Sequence, residues 1–214
     1  MAQVKKSYDE RFTEILDVSE KLFVTKGYAK TTVNDILDSM QISKGAFYHY
    51  FKSKEEVMDA VITRTANIAK NISQAVADIP GLTAHEKFIK VFADQHGDYD
   101  GLVEQLHHDD NSAMHLNSLI ETIHAITPAL TQIIEQGVKE GTYKTLYPRE
   151  SFEFLFTGAQ FLLDPGLFQW SPEELVQKLR AFVHIIETVL GTEKGLFNFM
   201  YQMNGIPFDS ESNE

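Results

Sequence analysis

The sequence predicts an all-α protein, and three observations carry that expectation. Apolar residues recur at helical spacing through most of the 214 residues. Helix-start signals of the Ser/Thr-x-x-Glu type stand at Ser53–Glu56, Thr83–Glu86 and Ser171–Glu174. Glycine or proline closes the periodic runs, at Gly27, Pro80-Gly81, Gly141, Asp164-Pro165-Gly166 and Gly191. No internal repeat and no convincing strand interrupts the pattern.

Residues 1–8 read as a loose arm, with Lys5 and Lys6 available for phosphate. The first helix, near Asp9 to Lys26, aligns Phe12, Ile15, Leu16, Ser19, Leu22 and Phe23 in one stripe. Gly27 supplies the backbone freedom its end requires, and Lys26 suits the negative end of the helix dipole. A short helix from Val33 to Met40 follows, with Val33, Ile36, Leu37 and Met40 on one face. Thr32 caps it, and Asp35 stands in for the longer Glu of a capping box. Gln41 and Ile42 make a brief link, and Ser43 caps the next helix. In that helix only Phe47 and Phe51, at i and i+4, need to face inward. Lys44, Tyr48, His49 and Tyr50 are left to point elsewhere. A short helix presenting hydrogen-bonding aromatics and a lysine is suited to the major groove of DNA. The competing reading is a helical hairpin with an aromatic surface.

The run from Arg11 to Val61 also resembles a known family, on KLFVTKGYAKTTVNDI, ISKGAFYHYF and KSKEEVMDAV. It looks like the DNA-binding head of the TetR family of bacterial transcription regulators. Beyond that run the resemblance rests on the all-helical pattern and the length. It implies a three-helix helix-turn-helix head joined by a linker helix to a larger helical ligand-binding and dimerisation domain. The corresponding divisions are 1–54, 55–79 and 80–214. Thr32, Ser43 and Lys54, with backbone amides at helix starts, are then placed for phosphates. Gly45 lets the backbone approach the duplex. Lys44, Tyr48 and His49 are candidates for base edges or flanking phosphates, and Tyr50 for the sugar-phosphate. These positions match those commonly used in the family.

After the Ser53–Glu56 signal nothing breaks helical periodicity until Ile79, and 25 residues of helix span roughly 37 Å. Pro80-Gly81 ends this rod. Thr83 opens a helix with Phe88, Ile89, Val91 and Phe92. Gly97 and Gly101 bracket a link, and a helix carrying Leu102, Leu106 and Met114 is expected after it. A long helix is then expected from about Asn117 to Glu140, with Pro128 kinking it or marking a new start. Pro148 suits the first turn of a helix carrying Phe152, Phe154, Leu155, Phe156, Phe161, Leu162 and Leu163. Ser171-Pro172-Glu173-Glu174 opens another, through Leu175, Leu179, Phe182, Val183, Ile186 and Leu190. The segment GLFNFMYQM is apolar enough to dock, and the polar tail from Asp209 reads as disordered. The helices near 149–163 and 172–190 are more apolar than one core face requires. Burial within one chain is one reading. Pairing with a second copy as a four-helix bundle is the other, and the resemblance implies it.

Composition bounds the function. The chain has a net charge of −12 and no cysteine. There is thus no disulfide framework, thiolate metal site or cysteine nucleophile. No run of about 18 apolar residues suggests a membrane span, and the N-terminus lacks a secretory signal core, so a cytoplasmic protein is expected. Residues 1–54 hold nine Lys/Arg and seven Asp/Glu, a net +2, which leaves −14 for the remainder. A head of +2 is a weak electrostatic footprint. Two heads about one DNA turn apart, roughly 34–36 Å, would compensate by reading a palindrome.

The remaining cluster is EQLHHDDNSAMH, Glu104 to His115. His108, Asn111 and His115 share a helical face, and His107, Asn111 and His115 make a second row. His and Asp at such spacing are candidate metal ligands, His108 and His115 first. A metal-dependent helical hydrolase or a metal-responsive regulator is the alternative function; no partner motif for hydrolysis stands elsewhere. Polar lining of a ligand cavity is another use of the cluster. An effector cavity would take Phe92, Phe161, Phe168 and Trp170 as walls and His115 and Gln160 as polar contacts. The acidic body favours an apolar or cationic effector. No catalytic residue and no cofactor are assigned. The expected partners are a double-stranded DNA operator, a second copy of the chain and a small molecule, and no membrane.

Overall fold

The structure is a computed structural model and describes residues 7–93 and 112–206. Every regular element among the described residues is a helix. In chain order they are α1 (Tyr8–Lys26), α2 (Val33–Met40), α3 (Lys44–Tyr48), α4 (Lys54–Ala77) and α5 (Ala84–Ala93), then α6 (Ser112–Glu140), α7 (Pro148–Leu162), α8 (Pro172–Leu190) and α9 (Phe199–Met203). The described residues fall into two compact units. One takes in residues 7–66 and 112–121, the other residues 67–93 and 122–206. The division therefore falls inside α4, after Ala66, and inside α6, after Glu121.

In the first unit, α1, α2, α3 and the start of α4 close around Ile15, Leu16, Phe23, Ile36, Leu37, Phe47, Phe51, Val57, Met58 and Val61. These are the apolar positions of each helix's 3.6-residue pattern, and Ile15, Phe23, Ile36 and Phe47 are fully buried. The Arg64 guanidinium ties α4 to α1, pairing with Asp17 at 2.6 Å and with Glu20. The start of α6 joins the same unit, where Met114 packs against this core.

Two expectations for this unit change. The chain is ordered into α1 from Ser7, whose Oγ accepts from Glu10 N at 3.2 Å while Glu10 accepts from Ser7 N at 2.7 Å. Helix α1 therefore begins at Tyr8, one residue earlier than expected, and residues 1–6, Lys5 and Lys6 included, lie outside the described ones. At the start of α4, Glu56 N donates to Ser53 Oγ, but the Glu56 carboxylate accepts from Lys52 N rather than from Ser53. The cap is real, with its return bond displaced by one residue.

The second unit packs α5, the later part of α6, α7, α8 and the C-terminal segment around Phe88, Ile126, Leu130, Ile133, Ile134, Phe152, Val183 and Phe197. Lys87 is buried, and its ammonium donates to Ala77 O at 2.6 Å and to Gln136 Oε1 at 2.9 Å. A cation at the last carbonyls of α4 satisfies both the orphan acceptor and the helix dipole. Gly137 has a structural reason: a Cβ there would sit 2.2 Å from the Tyr143 ring, which packs against the bare backbone. The docking of GLFNFMYQM is observed: Glu187 Oε1 accepts from Gly195 N at 2.8 Å and Phe197 N at 3.1 Å, and Phe197 is fully buried. One expectation fails in detail: α6 begins at Ser112 rather than near Asn117. It runs through Pro128 as one helix, so the proline does not mark a new start.

Candidate nucleic-acid interface

The turn between α2 and α3 fixes the interface. Thr32 and Asp35 form a complete capping box at the start of α2: Asp35 N donates to Thr32 Oγ1 at 3.2 Å and Thr32 N to Asp35 Oδ2 at 2.7 Å. Lys26 pairs with the same carboxylate at 2.6 Å. The Lys26 hydrogen bond, then those from Thr32, hold the Asp35 carboxyl at about 2. Helix α2 ends with Gln41 in the left-handed region, φ 53°, while Ile42 N donates back to Leu37 O at 3.1 Å and Gln41 N to Asp38 O at 3.3 Å. This double bond back to the last turn is a Schellman closure built on a residue other than glycine. Ser43 Oγ then accepts from Ala46 N at 3.2 Å and starts α3.

With Phe47 and Phe51 buried beneath it, α3 turns its other side outward. Ser43, Lys44, Gly45, Tyr48 and His49 are exposed, as is Thr32 at the head of α2. The Lys44 ammonium lies 5.8 Å from the centre of the Tyr48 ring. Gly45 contrasts with Gly137: a Cβ built on it meets nothing within 4 Å, and its φ is not positive. The fold itself does not require glycine there.

Tyr50 and Lys54 are half-buried, whereas the other six are exposed. The Tyr50 ring packs at a tilt against Tyr8 with centroids 4.6 Å apart, and Tyr8 also meets His49 edge-on at 5.9 Å. Phe12, one turn along α1, lies 4.9 Å from Phe51. The start of α1 thus braces the end of the outward-facing turn, a role for Tyr8 that sequence reading missed. The signal was present in Ser7-Tyr8-Asp9-Glu10, a capping box with an aromatic in its first turn. The Lys54 ammonium donates to Tyr28 O at 2.8 Å and sits 4.1 Å from the centre of the Tyr28 ring. Burial, with Glu55 beside it, pushes the Tyr28 hydroxyl well above its ordinary pKa.

Two family models match the chain. Residues 15–61 match "Bacterial regulatory proteins, tetR family", and residues 98–185 match "Tetracyclin repressor-like, C-terminal domain". Together they take in well over half of the sequence. The chain belongs to the TetR family. The HTH-type transcriptional repressor KstR2 of Rhodococcus jostii is 44% identical over 52 residues, 24% of this chain and 26% of that protein. The HTH-type transcriptional regulator EthR of Mycobacterium tuberculosis is 33% identical over 97 residues, 44% of this chain and 45% of that protein. These relatives are matched over less than half of their own length. A TetR-family transcriptional regulator from Pectobacterium atrosepticum shares the fold, with a TM-score of 0.65 at 17% identity over 86% of this chain and 98% of that one. The TetR architecture, a helix-turn-helix head with a helical C-terminal domain, is the fold of this chain.

The second unit contains a cavity of about 190 Å³. Phe88 and Phe92 of α5, Phe152, Phe156 and Gln160 of α7, and Phe182 and Ile186 of α8 line it. Phe199, Met200, Met203 and Asn204 of the C-terminal segment close it. Of the six residues the sequence suggested for an effector site, Phe92 and Gln160 are here. Phe161, Phe168 and Trp170 do not line it. Phe161 lies on the α7 face that carries the exposed Phe154, seven residues away. Phe168 and Trp170 stack on each other at 5.1 Å, with the Trp170 indole N–H donating to Leu162 O at 2.7 Å and Lys178 over its ring at 3.7 Å. His115 is buried in the first unit and does not line the cavity.

His107, His108 and Asn111, the other members of the proposed metal rows, lie outside the described residues. Among the described residues, no group of three His, Cys, Asp or Glu side chains is placed to hold a metal ion. No helix among them is long and apolar enough to cross a membrane.

Proposed function

We propose that this TetR-family protein is a DNA-binding transcription regulator, a repressor that grips a palindromic operator as a homodimer and is released by a small molecule. The observation that carries this reading is the outward face of α3: Lys44, Gly45, Tyr48 and His49 exposed together above the buried Phe47 and Phe51. Thr32 and Ser43 flank this face at two helix starts, where hydroxyls and backbone amides favour phosphate. The Lys54 ammonium keeps donors beyond its bond to Tyr28, and Tyr50 offers its edge beside Tyr8. The names of the relatives, transcriptional repressor and transcriptional regulator, support the same reading.

The second copy is supported by the surface of α7 and α8. Phe154 is 82% exposed, Leu162 50% and Ile185 48%, and Val189 and Leu175 are exposed beside them. Apolar exposure of this extent on neighbouring helices marks a protein contact. Release is supported by the position of α5. Phe88 and Phe92 form the cavity wall, while Lys87 on the same helix holds the last carbonyl of α4. A ligand that prefers one position of α5 would bias α4, whose first turns belong to the head. It shifts that equilibrium only by its differential affinity for the two states. The metal-dependent hydrolase is not favoured by the family.

The test is substitution on the outward face. Tyr48→Ala and Lys44→Ala should each weaken binding to a duplex selected by the protein from a random pool, with little change in the melting curve, because neither side chain is buried. Unchanged affinity in both variants would overturn the assignment of this face.

A further inference from the structure

The cavity of the second unit has a lining specific enough to name a ligand class, an inference that rests on the proposed small-molecule response. Its walls include six phenylalanines, Phe88, Phe92, Phe152, Phe156, Phe182 and Phe199, with no charged side chain among the described lining residues. An ion entering such a site would lose its hydration without a counter-charge, so a charged ligand is disfavoured. The volume, about 190 Å³, is slightly larger than the roughly 150 Å³ apolar cavity that accepts benzene. It fits one aromatic ring with a small substituent and excludes fused polycyclic molecules unless the walls move.

One buried, unpaired polar atom breaks the apolar lining. Gln160 Oε1 is fully buried and has no hydrogen-bond partner among the described residues. An acceptor stripped of water and left unpaired is costly, and a ligand that donates to it recovers that cost. The other lining amide, Asn204, is already occupied in part: its Nδ2 donates to Met200 O at 2.8 Å. Met200 and Met203 form the closing wall, and unbranched thioethers repack readily around a ring edge. We infer that the cavity binds an uncharged single-ring aromatic carrying one hydrogen-bond donor, a phenol in its simplest form, with the donor on Gln160 Oε1 and the ring among the phenylalanines.

The experiment titrates the full-length protein, without DNA, with p-cresol and with toluene, read by calorimetry. The two probes share ring and methyl group and differ in the donor. One p-cresol per chain should bind, roughly fivefold to tenfold more tightly than toluene, the gain expected of one hydrogen bond to a buried acceptor. In Gln160→Met, which keeps the length and loses the acceptor, the two should bind within about twofold of each other. In the wild type, methionine-methyl NMR should show p-cresol shifting Met200 and Met203 among the six methionines, a readout that stands even if the variant does not fold. Absence of saturable binding, equal affinity of the two probes for the wild type, or shifts confined to other methionines would overturn the inference. Because DNA is absent, the release reading is judged separately. Bound p-cresol that leaves operator affinity unchanged refutes release by this ligand and leaves the cavity assignment standing.

Discussion

Gly45→Ala separates what the fold needs from what DNA needs. In a helix, glycine is less favourable than alanine by up to about 1 kcal/mol, because the unfolded chain has more freedom to lose. A methyl group at Gly45 would meet nothing within 4 Å and would sit on a backbone with no positive φ. With α3 only five residues long, the lower half of that range applies, so the variant head should be more stable by roughly 0.5 kcal/mol. For a domain of this size that is a rise of about 2–4 °C in its melting temperature. On DNA the sign reverses. The methyl would hold the α3 backbone off the duplex and weaken a charge-assisted hydrogen bond to phosphate, at about 1.5 kcal/mol per head, or tenfold. Two heads acting together would lose roughly a hundredfold. Thermal melts followed by circular dichroism and fluorescence anisotropy on the selected duplex measure the two effects. A variant that melts lower than wild type would show that the fold requires the glycine. A stable variant that binds within twofold of wild type would show that the backbone at Gly45 does not approach DNA. Either result overturns the role given to Gly45.

Phe154→Glu places a charge on the most exposed phenylalanine of α7. If that face meets its own copy, the variant should dissociate with a constant raised by two orders of magnitude or more, since burying unpaired carboxylates costs several kcal/mol. Sedimentation velocity reads this, and an unchanged dimer would place the interface elsewhere. His85 gives a pH dependence. Its Nδ1 lies 3.3 Å from the Tyr143 hydroxyl, and burial holds its pKa below the ordinary 6.5 despite the opposing backbone bond and Glu86. The folded state therefore binds that proton less readily than the unfolded chain. Stability should be full above pH 6.5 and fall as pH drops through the lower folded value, by at most about 1.4 kcal/mol per pH unit. His85→Gln should flatten that limb in urea melts between pH 7 and 5; an unaltered slope would assign the acid sensitivity to other groups.

The head was legible because each of its decisions is local. Thr32 with Asp35, Ser43 with Ala46, and Phe47 with Phe51 interact across three or four residues, and their consequences can be read from spacing alone. The same holds for Ser171 with Glu174 and for Pro148 at the start of α7. What spacing could not decide was which apolar face meets which. On α7, Phe152 and Phe156 share one face with Gln160, while Phe154 and Phe161 share another. Both satisfy helical periodicity. Only the approach of Phe88 and Phe92 from α5, and of Phe199 and Met203 from the chain's end, makes the first face a cavity wall. These partners are tens of residues apart in sequence. Trp170, an expected wall of the effector cavity, is instead held by Phe168, Lys178 and the Leu162 carbonyl. Tyr8 was missed for the opposite reason: an arm was assumed where a capping box had already started a helix.

If the α3 face reads DNA only as one of a pair, a single half-site should bind poorly. Anisotropy titrations of the wild-type protein on the selected palindrome and on a duplex carrying one intact half-site test it most directly. Two chains should bind per palindrome, with a loss of affinity of at least about a hundredfold on the half-site duplex and a steep fall in affinity with salt. Equal affinity for the two duplexes, with one chain bound to each, would contradict that pairing.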